Sequence, residues 1–136
     1  MLETGDLPGA LSGILKQMAD GSDLQTGVEI TGRVRRFSPV IENNLLRVGQ
    51  EAITNATKHA RARQIKVKLD FGEKQFRLKV WDDGQGFDPA QPLPRAGGFG
   101  LMGMRERAAE LKGDLNIQSA VGKGTEIVLT VPLSGE

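Results

Sequence analysis

The stretch Phe76-Arg77-Leu78-Lys79-Val80-Trp81-Asp82-Asp83-Gly84-Gln85-Gly86-Phe87 constrains the fold more than any other part of the chain. From Phe76 to Lys79 apolar and charged residues alternate, which is the period of a strand with one buried face. Phe76, Leu78 and Val80 point to one side, and the next residue on that side is Asp82. A carboxylate that follows three core residues is costly unless something pairs with it. Gly84 and Gly86 then allow the backbone to turn sharply or to approach a ligand closely. The strand therefore leaves its sheet with an inward acid and a small-residue loop. Two readings fit this stretch alone: an edge-of-core acid capping a turn, or a binding site. The pattern D-x-G-x-G recurs in unrelated nucleotide-binding folds, so by itself it selects none of them.

Composition removes several function classes. The 136 residues suit one domain with its own core. A formal net charge of +1 gives no basic surplus for nucleic acid. No run approaches the ~18 apolar residues of a membrane span. Met1-Leu2-Glu3-Thr4-Gly5-Asp6 lacks the basic and apolar regions of a signal peptide. There is no cysteine, hence no disulfide or thiolate metal site, which suits a cytosolic setting. A single histidine, His59, leaves a histidine metal cluster or a Ser-His-Asp triad almost nothing to build on.

Leu7, Leu11, Ile14, Leu15 and Met18 recur at helical spacing after Asp6, a fitting N-cap. Val28, Ile30 and Val34 alternate with Glu29, Thr31 and Arg33, which predicts a strand containing Gly32, a position that suits a bulge. Ser38-Pro39 opens a helix that the pattern carries to His59 or Arg61. At 100° per residue, Glu51, Asn55 and Lys58 fall within roughly 60° of one another beside the apolar arc. Such a trio is either a site or an ordinary solvated flank.

Ile65 to Phe71 and Phe76 to Asp82 form a predicted hairpin with one wet face, so the sheet is antiparallel there. Trp81 faces away from Val80 and suits packing at an interface or a helix edge. Asp88 to Gly98 carries three prolines and a Gly-Gly pair and reads as a lid hinged at Gly97-Gly98, or else as a surface loop. The glycine-rich Phe99-Gly100-Leu101-Met102-Gly103-Met104 leads into a helix that Gly113 closes, and a helix opened by such a turn favours anions. A second hairpin ends the chain. In it Thr125 precedes Ile127, Leu129 and Val131 on the apolar face, as a polar strand end like Asp82. The two can meet in one pocket.

The order of these motifs resembles the GHKL ATP-binding domain, the group of gyrase, the heat-shock chaperone ATPase, histidine kinases and MutL. Gln50 to Ala60 is similar to its N box, Val80 to Phe87 to its first glycine box, Gly98 to Arg107 to its second, and Gly122-Lys123-Gly124-Thr125 to its G-x-G-T end. The wording is nearest to the catalytic domain of sensor histidine kinases in the nitrate-sensor-like subfamily. The resemblance covers residues 28 to 133 well and the first helix loosely. It implies an α+β fold, a two-layer sandwich with a mixed, mostly antiparallel sheet and helices on one face.

The resemblance also implies roles. Asp82 would accept from the adenine amine, with Thr125 holding the same corner through water and Gly84 and Gly86 letting the backbone approach the base. Asn55 would ligate Mg²⁺, and Lys58 would lie near the phosphates. Glu51 would polarise the attacking group. Gly98, Gly100 and Gly103 would wrap the phosphates of ATP as the lid closes, and Leu101 would be a further nucleotide-binding residue. The reaction implied is transfer of the γ-phosphoryl group to a histidine of a separate dimerisation domain, with a response regulator downstream. His59 lies inside the N box and is expected to be structural. The dimerisation helices are missing from 1–136, so a monomer that binds ATP without phosphorylating itself is expected. The setting implied is the cytosolic portion of a membrane-associated sensor, with no nucleic-acid or membrane contact by this domain. The alternatives are a GHKL ATP hydrolase, an anti-sigma serine kinase or a non-catalytic nucleotide-binding module. A methyltransferase, which also carries D-x-G-x-G, needs parallel strands joined by helices, whereas Asp82 here ends the second strand of a predicted antiparallel hairpin.

Overall fold

The computed structural model describes residues 6–59, 61–87 and 101–133, without the side chain of His59. The predicted lid at 88–98, with its Gly97-Gly98 hinge, and Gly100 lie outside the described residues. Among the described residues, five strands form one sheet in the order β1-β2-β3-β5-β4. They are β1 (Gln25–Gly32), β2 (Gln64–Phe71), β3 (Gln75–Asp82), β4 (Asp114–Ser119) and β5 (Thr125–Pro132). β1 runs parallel to β2, and the remaining neighbours are antiparallel.

Period-two patterning decides which face is covered. Ile65, Val67, Leu69 and Phe71 of β2 are buried, as are Phe76, Leu78 and Val80 of β3 and Ile127, Leu129 and Val131 of β5. Each such side chain contributes about 1.5–3 kcal/mol when removed from water. On the uncovered face, the Lys66 ammonium sits 5.7 Å from the centre of the Trp81 ring.

Among the described residues, three helices cover the apolar face. The helix α1 (Leu7–Ala19) starts where the Asp6 carboxylate accepts the Gly9 N–H at 3.0 Å, and it buries Leu7, Leu11 and Leu15. The helix α2 (Pro39–Thr54) starts at Ser38, with Pro39 at the position that needs no N–H. Buried Glu42 reaches back from its first turn to accept from Phe37 N–H at 3.1 Å and from Arg36 at 2.8 and 2.9 Å. Gly49 admits α1: a Cβ there would lie 2.7 Å from Leu11 Cδ2. The helix α3 (Leu101–Glu110) joins α2 through buried Asn44. Its Nδ2 donates to Glu110 Oε1 and its Oδ1 accepts from Arg107, both at 3.0 Å.

Three boundaries differ from the sequence reading. The α-helical geometry of α2 stops at Thr54, and Asn55–His59 continue as a π turn. Gly32 ends β1 at φ +82 and is not a bulge within a longer strand; a side chain there would collide with the Phe71 carbonyl, and Val34 lies beyond the strand. The left-handed residue that terminates α3 is Lys112, φ 54, ahead of Gly113. Gly113 N–H then bonds back to Ala108 O at 2.8 Å. A glycine after a helix is a good C-cap signal, but here the backbone turns one residue earlier.

The two ends of the covered face differ. At one end Phe37, Phe71 and Phe76 stack with centroids 4.9–5.9 Å apart. At the other, β3 ends on Asp82 and β5 begins on Thr125, and a cleft opens.

Candidate functional site

The cleft follows from strand register. Asp82, the last residue of β3, lies directly opposite Thr125, the first of β5. Both are buried and both face the helices. Ala52 and Asn55 close the cleft from the α2 side, Leu101 from the start of α3, and Gln85, Gly86 and Phe87 from the loop after β3. Val80 and Ile127 form its floor. Its empty space, counted out through the open mouth, is about 480 Å³.

Asp82 is 4% exposed. Its Oδ1 accepts the Gly84 N–H at 2.8 Å, and its second oxygen has no partner among the described residues. Burial raises its pKa, the Gly84 bond offsets part of that, and the charge of Asp83 adds to the rise. Asp83 behaves oppositely. Its exposed Oδ1 accepts Gln64 N–H at 2.9 Å and Arg63 N–H at 2.8 Å, and these bonds hold its pKa low. Adjacent acids thus divide the work: Asp83 pins the start of β2 to the end of β3, while Asp82 is left facing the cleft.

The loop after Asp82 is glycine-dependent at Gly86, where φ is +65 and a Cβ would collide with the carbonyl oxygen of Ala120. Gly86 lines the cleft, whereas Gly84 is not among its walls and serves it through its bond to Asp82.

Of the three N-box side chains, Asn55 alone lines the cleft. Asn55 begins the π turn, its side-chain oxygen is buried, and it lines the cleft. Glu51 is half-buried and Lys58 exposed, and neither is among the residues lining the cleft. The common arc for all three assumed α-helical steps through Lys58, and the π turn breaks that assumption. Thr57 Oγ1 sits 3.1 Å from both Ile53 O and Thr54 O and 3.5 Å from Met18 Sδ, tying the turn to α1. In the second glycine box, Leu101 is nearly buried at the cleft wall, and Gly103 lies in the first turn of α3 with open space beside it. Gly98 and Gly100 lie outside the described residues.

The sequence reading did not single out Ser119. Its Oγ contacts Phe87 N at 2.8 Å, Gly124 O at 3.1 Å and Thr125 Oγ1 at 2.8 Å. A signal was available: Ser119 and Thr125 flank the Ala120–Gly124 turn symmetrically, which places them opposite each other.

Residues 41–135 match the family model described as histidine kinase-, DNA gyrase B- and HSP90-like ATPase. The chain belongs to this family. Within the ATPase family it is of the type found as the catalytic ATPase domain of two-component sensor histidine kinases, and it is DegS-like. It is 36% identical over 126 residues to the signal transduction histidine-protein kinase/phosphatase DegS of Brevibacillus brevis, over 90% of this chain and 32% of that protein. It is 40% identical over 101 residues to DegS of Bacillus subtilis, over 74% of this chain and 26% of that protein. The chain therefore spans about a third or less of the length of these curated relatives. Two solved structures share the fold. The blue-light activated histidine kinase of Erythrobacter litoralis EL346 superposes with a TM-score of 0.75 at 22% identity, over 99% of this chain and 44% of that one. The mycobacterial sensor histidine kinase MprB superposes with a TM-score of 0.69 at 20% identity, over 93% of this chain and 94% of that one.

Proposed function

We propose that this ATPase-family domain binds ATP in the cleft with its adenine against Asp82 and Thr125. It then presents the γ-phosphoryl group to a histidine on the dimerisation domain of the same kinase. The observation that carries the reading is the buried Asp82 carboxylate, one oxygen held by Gly84 and the other facing the cleft. An exocyclic amine donates to that oxygen and gives the buried charge a partner. A guanine carbonyl in the same place leaves two acceptors facing each other, at a cost of about 1–3 kcal/mol or more.

Asn55 fits a Mg²⁺ site of a particular kind. Its amide oxygen is buried in a residue that lines the cleft, and the described residues include no cluster of three acidic or histidine side chains to hold a metal alone. A cation there would take most of its ligands from phosphate and water, which is how Mg²⁺ is usually bound. When bound, Mg²⁺ would neutralise phosphate charge. In this reading Glu51 orients the acceptor, and Lys58 meets the phosphates from the rim. Gly86 keeps the base edge clear, while Leu101, Gly103 and, from the second glycine box, Gly98 and Gly100 surround the phosphates. Phosphoryl transfer depends mainly on such positioning and charge neutralisation.

The wording of the N box supports the nitrate-sensor-like subfamily as the finer placement. A response regulator is the partner that a kinase of this type implies. No helix among the described residues is long and apolar enough to cross a membrane, and the reading places the domain on the cytosolic side of its sensor.

Calorimetric titration with ADP and with GDP, each in Mg²⁺, tests the proposal. ADP is expected to bind at least about a hundredfold more tightly than GDP. Equal affinities, or no binding of ADP, overturn the adenine assignment.

A further inference from the structure

We propose that Ser119 is a positioning residue for base recognition: it turns the Thr125 hydroxyl so that lone pairs, and not the proton, face the cleft. The inference rests on the adenine reading above. Asp82, Thr125 and Ser119 form a row across three strands, since Asp82 pairs with Thr125 and Thr125 with Ser119. Residues paired in this way share a face, so all three point toward the helices.

The proton assignment follows from counting. A serine hydroxyl has one proton and two lone pairs. Phe87 N–H donates to Ser119 Oγ at 2.8 Å and occupies one lone pair. The Gly124 carbonyl, 3.1 Å away, can only accept, so it takes the Ser119 proton. One lone pair remains for Thr125 Oγ1 at 2.8 Å, so Thr125 must be the donor. Its proton is thereby directed at Ser119, away from the cleft.

The corner then offers acceptors only: the second oxygen of Asp82 and the lone pairs of Thr125. A group carrying two hydrogens, or a water that donates to both, satisfies it. The 6-amino group of adenine fits that requirement directly or through such a water. Ser119 is not among the residues lining the cleft, so it acts through Thr125. Without Ser119 the Thr125 proton is free to turn toward Asp82 and compete with the incoming amine.

The test compares ADP with the diphosphate of purine riboside, which carries hydrogen in place of the 6-amino group, by calorimetry. The parent chain is expected to favour ADP. Ser119→Ala is expected to shrink that preference by about tenfold, and Ser119→Thr, which keeps the hydroxyl, to restore it. If Ser119 only pins the loop through Phe87 and Gly124, Ser119→Ala weakens both ligands equally, and an unchanged ratio overturns the inference alone. Should Ser119→Ala fail to fold by circular dichroism, Ser119→Cys is read instead. Its thiol bonds weakly, so a narrowed ratio supports the inference and an unchanged ratio overturns it. A parent chain that binds no ADP overturns the adenine reading and this inference with it.

Discussion

Asp82 carries a conflict between stability and binding. Burial raises its folded-state pKa above the unfolded value, so the folded chain holds that proton more tightly. The penalty is absent below the ordinary carboxylate pKa, grows as pH rises toward the folded pKa, and is complete above it. Asp82→Asn keeps an oxygen for Gly84 N–H and removes the buried charge. At neutral pH this variant is expected to melt at or above the parent temperature, with the difference vanishing in acid. Its ADP affinity is expected to fall at least about a hundredfold. Thermal melts at two pH values and calorimetry check both parts; a lower melting temperature at neutral pH contradicts the first. ADP binding by the parent should weaken as pH falls through the raised pKa of Asp82. Glu42 has the reverse sign, because the Arg36 hydrogen bond lowers its pKa. Its contribution is complete above the ordinary glutamate pKa and is lost as pH falls through the lowered folded value. For Asn55, Asn55→Ala is expected to reduce ADP affinity more in Mg²⁺ than in EDTA. Equal losses remove it as a metal ligand.

At the scale of elements, α3 is placed by polar contacts as well as by apolar ones. Asn44 on α2 joins Arg107 and Glu110, and Leu101 at the other end of α3 is a wall of the cleft. Asn44→Leu keeps the number and branching of the side-chain heavy atoms and removes both bonds. We expect a loss of about 1–3 kcal/mol in urea unfolding and a several-fold weaker affinity for ADP, since the wall shifts with the helix. Unchanged affinity would separate α3 docking from the cleft. The strands were legible in the sequence because alternation persists through β2, β3 and β5, and it placed Asp82 and Thr125 on the inner face. The end of α2 was not legible. Residues 55–59 are Asn-Ala-Thr-Lys-His, with too few apolar side chains for a change from α to π geometry to register as a change of period. Ser119 was hidden for another reason. It looks like any polar residue near a strand end, and its meaning comes from cross-strand register and from a backbone N–H of a distant loop. The direction of β1 was likewise silent, because pairing direction leaves no mark in an alternating pattern.

For the whole molecule, ligand and fold are linked. A nucleotide that binds only the folded state adds about 2.7 kcal/mol at a hundred times its dissociation constant. ADP with Mg²⁺ should therefore raise the melting temperature in a concentration-dependent way, and GDP should not; matching shifts would deny base selectivity. In kinase assays with labelled ATP, the chain alone is expected to acquire no acid-labile phosphate, and a histidine-bearing dimerisation domain of the same kinase, added separately, is expected to acquire it. Label on this chain alone would contradict the assignment of the acceptor to another domain.

The strand order also bears on how the molecule is made. β5 lies between β3 and β4, although it is the last strand in the chain. Asp82 therefore leaves the ribosome well before Thr125, and Ser119 has no cross-strand partner until β5 is threaded into place. During synthesis from the N-terminus, the growing chain can form α1, α2 and the β2–β3 hairpin while the Asp82–Thr125 corner does not yet exist. The corner thus forms only when the sheet is complete, and a polypeptide released before β5 would carry Asp82 without Thr125 opposite it.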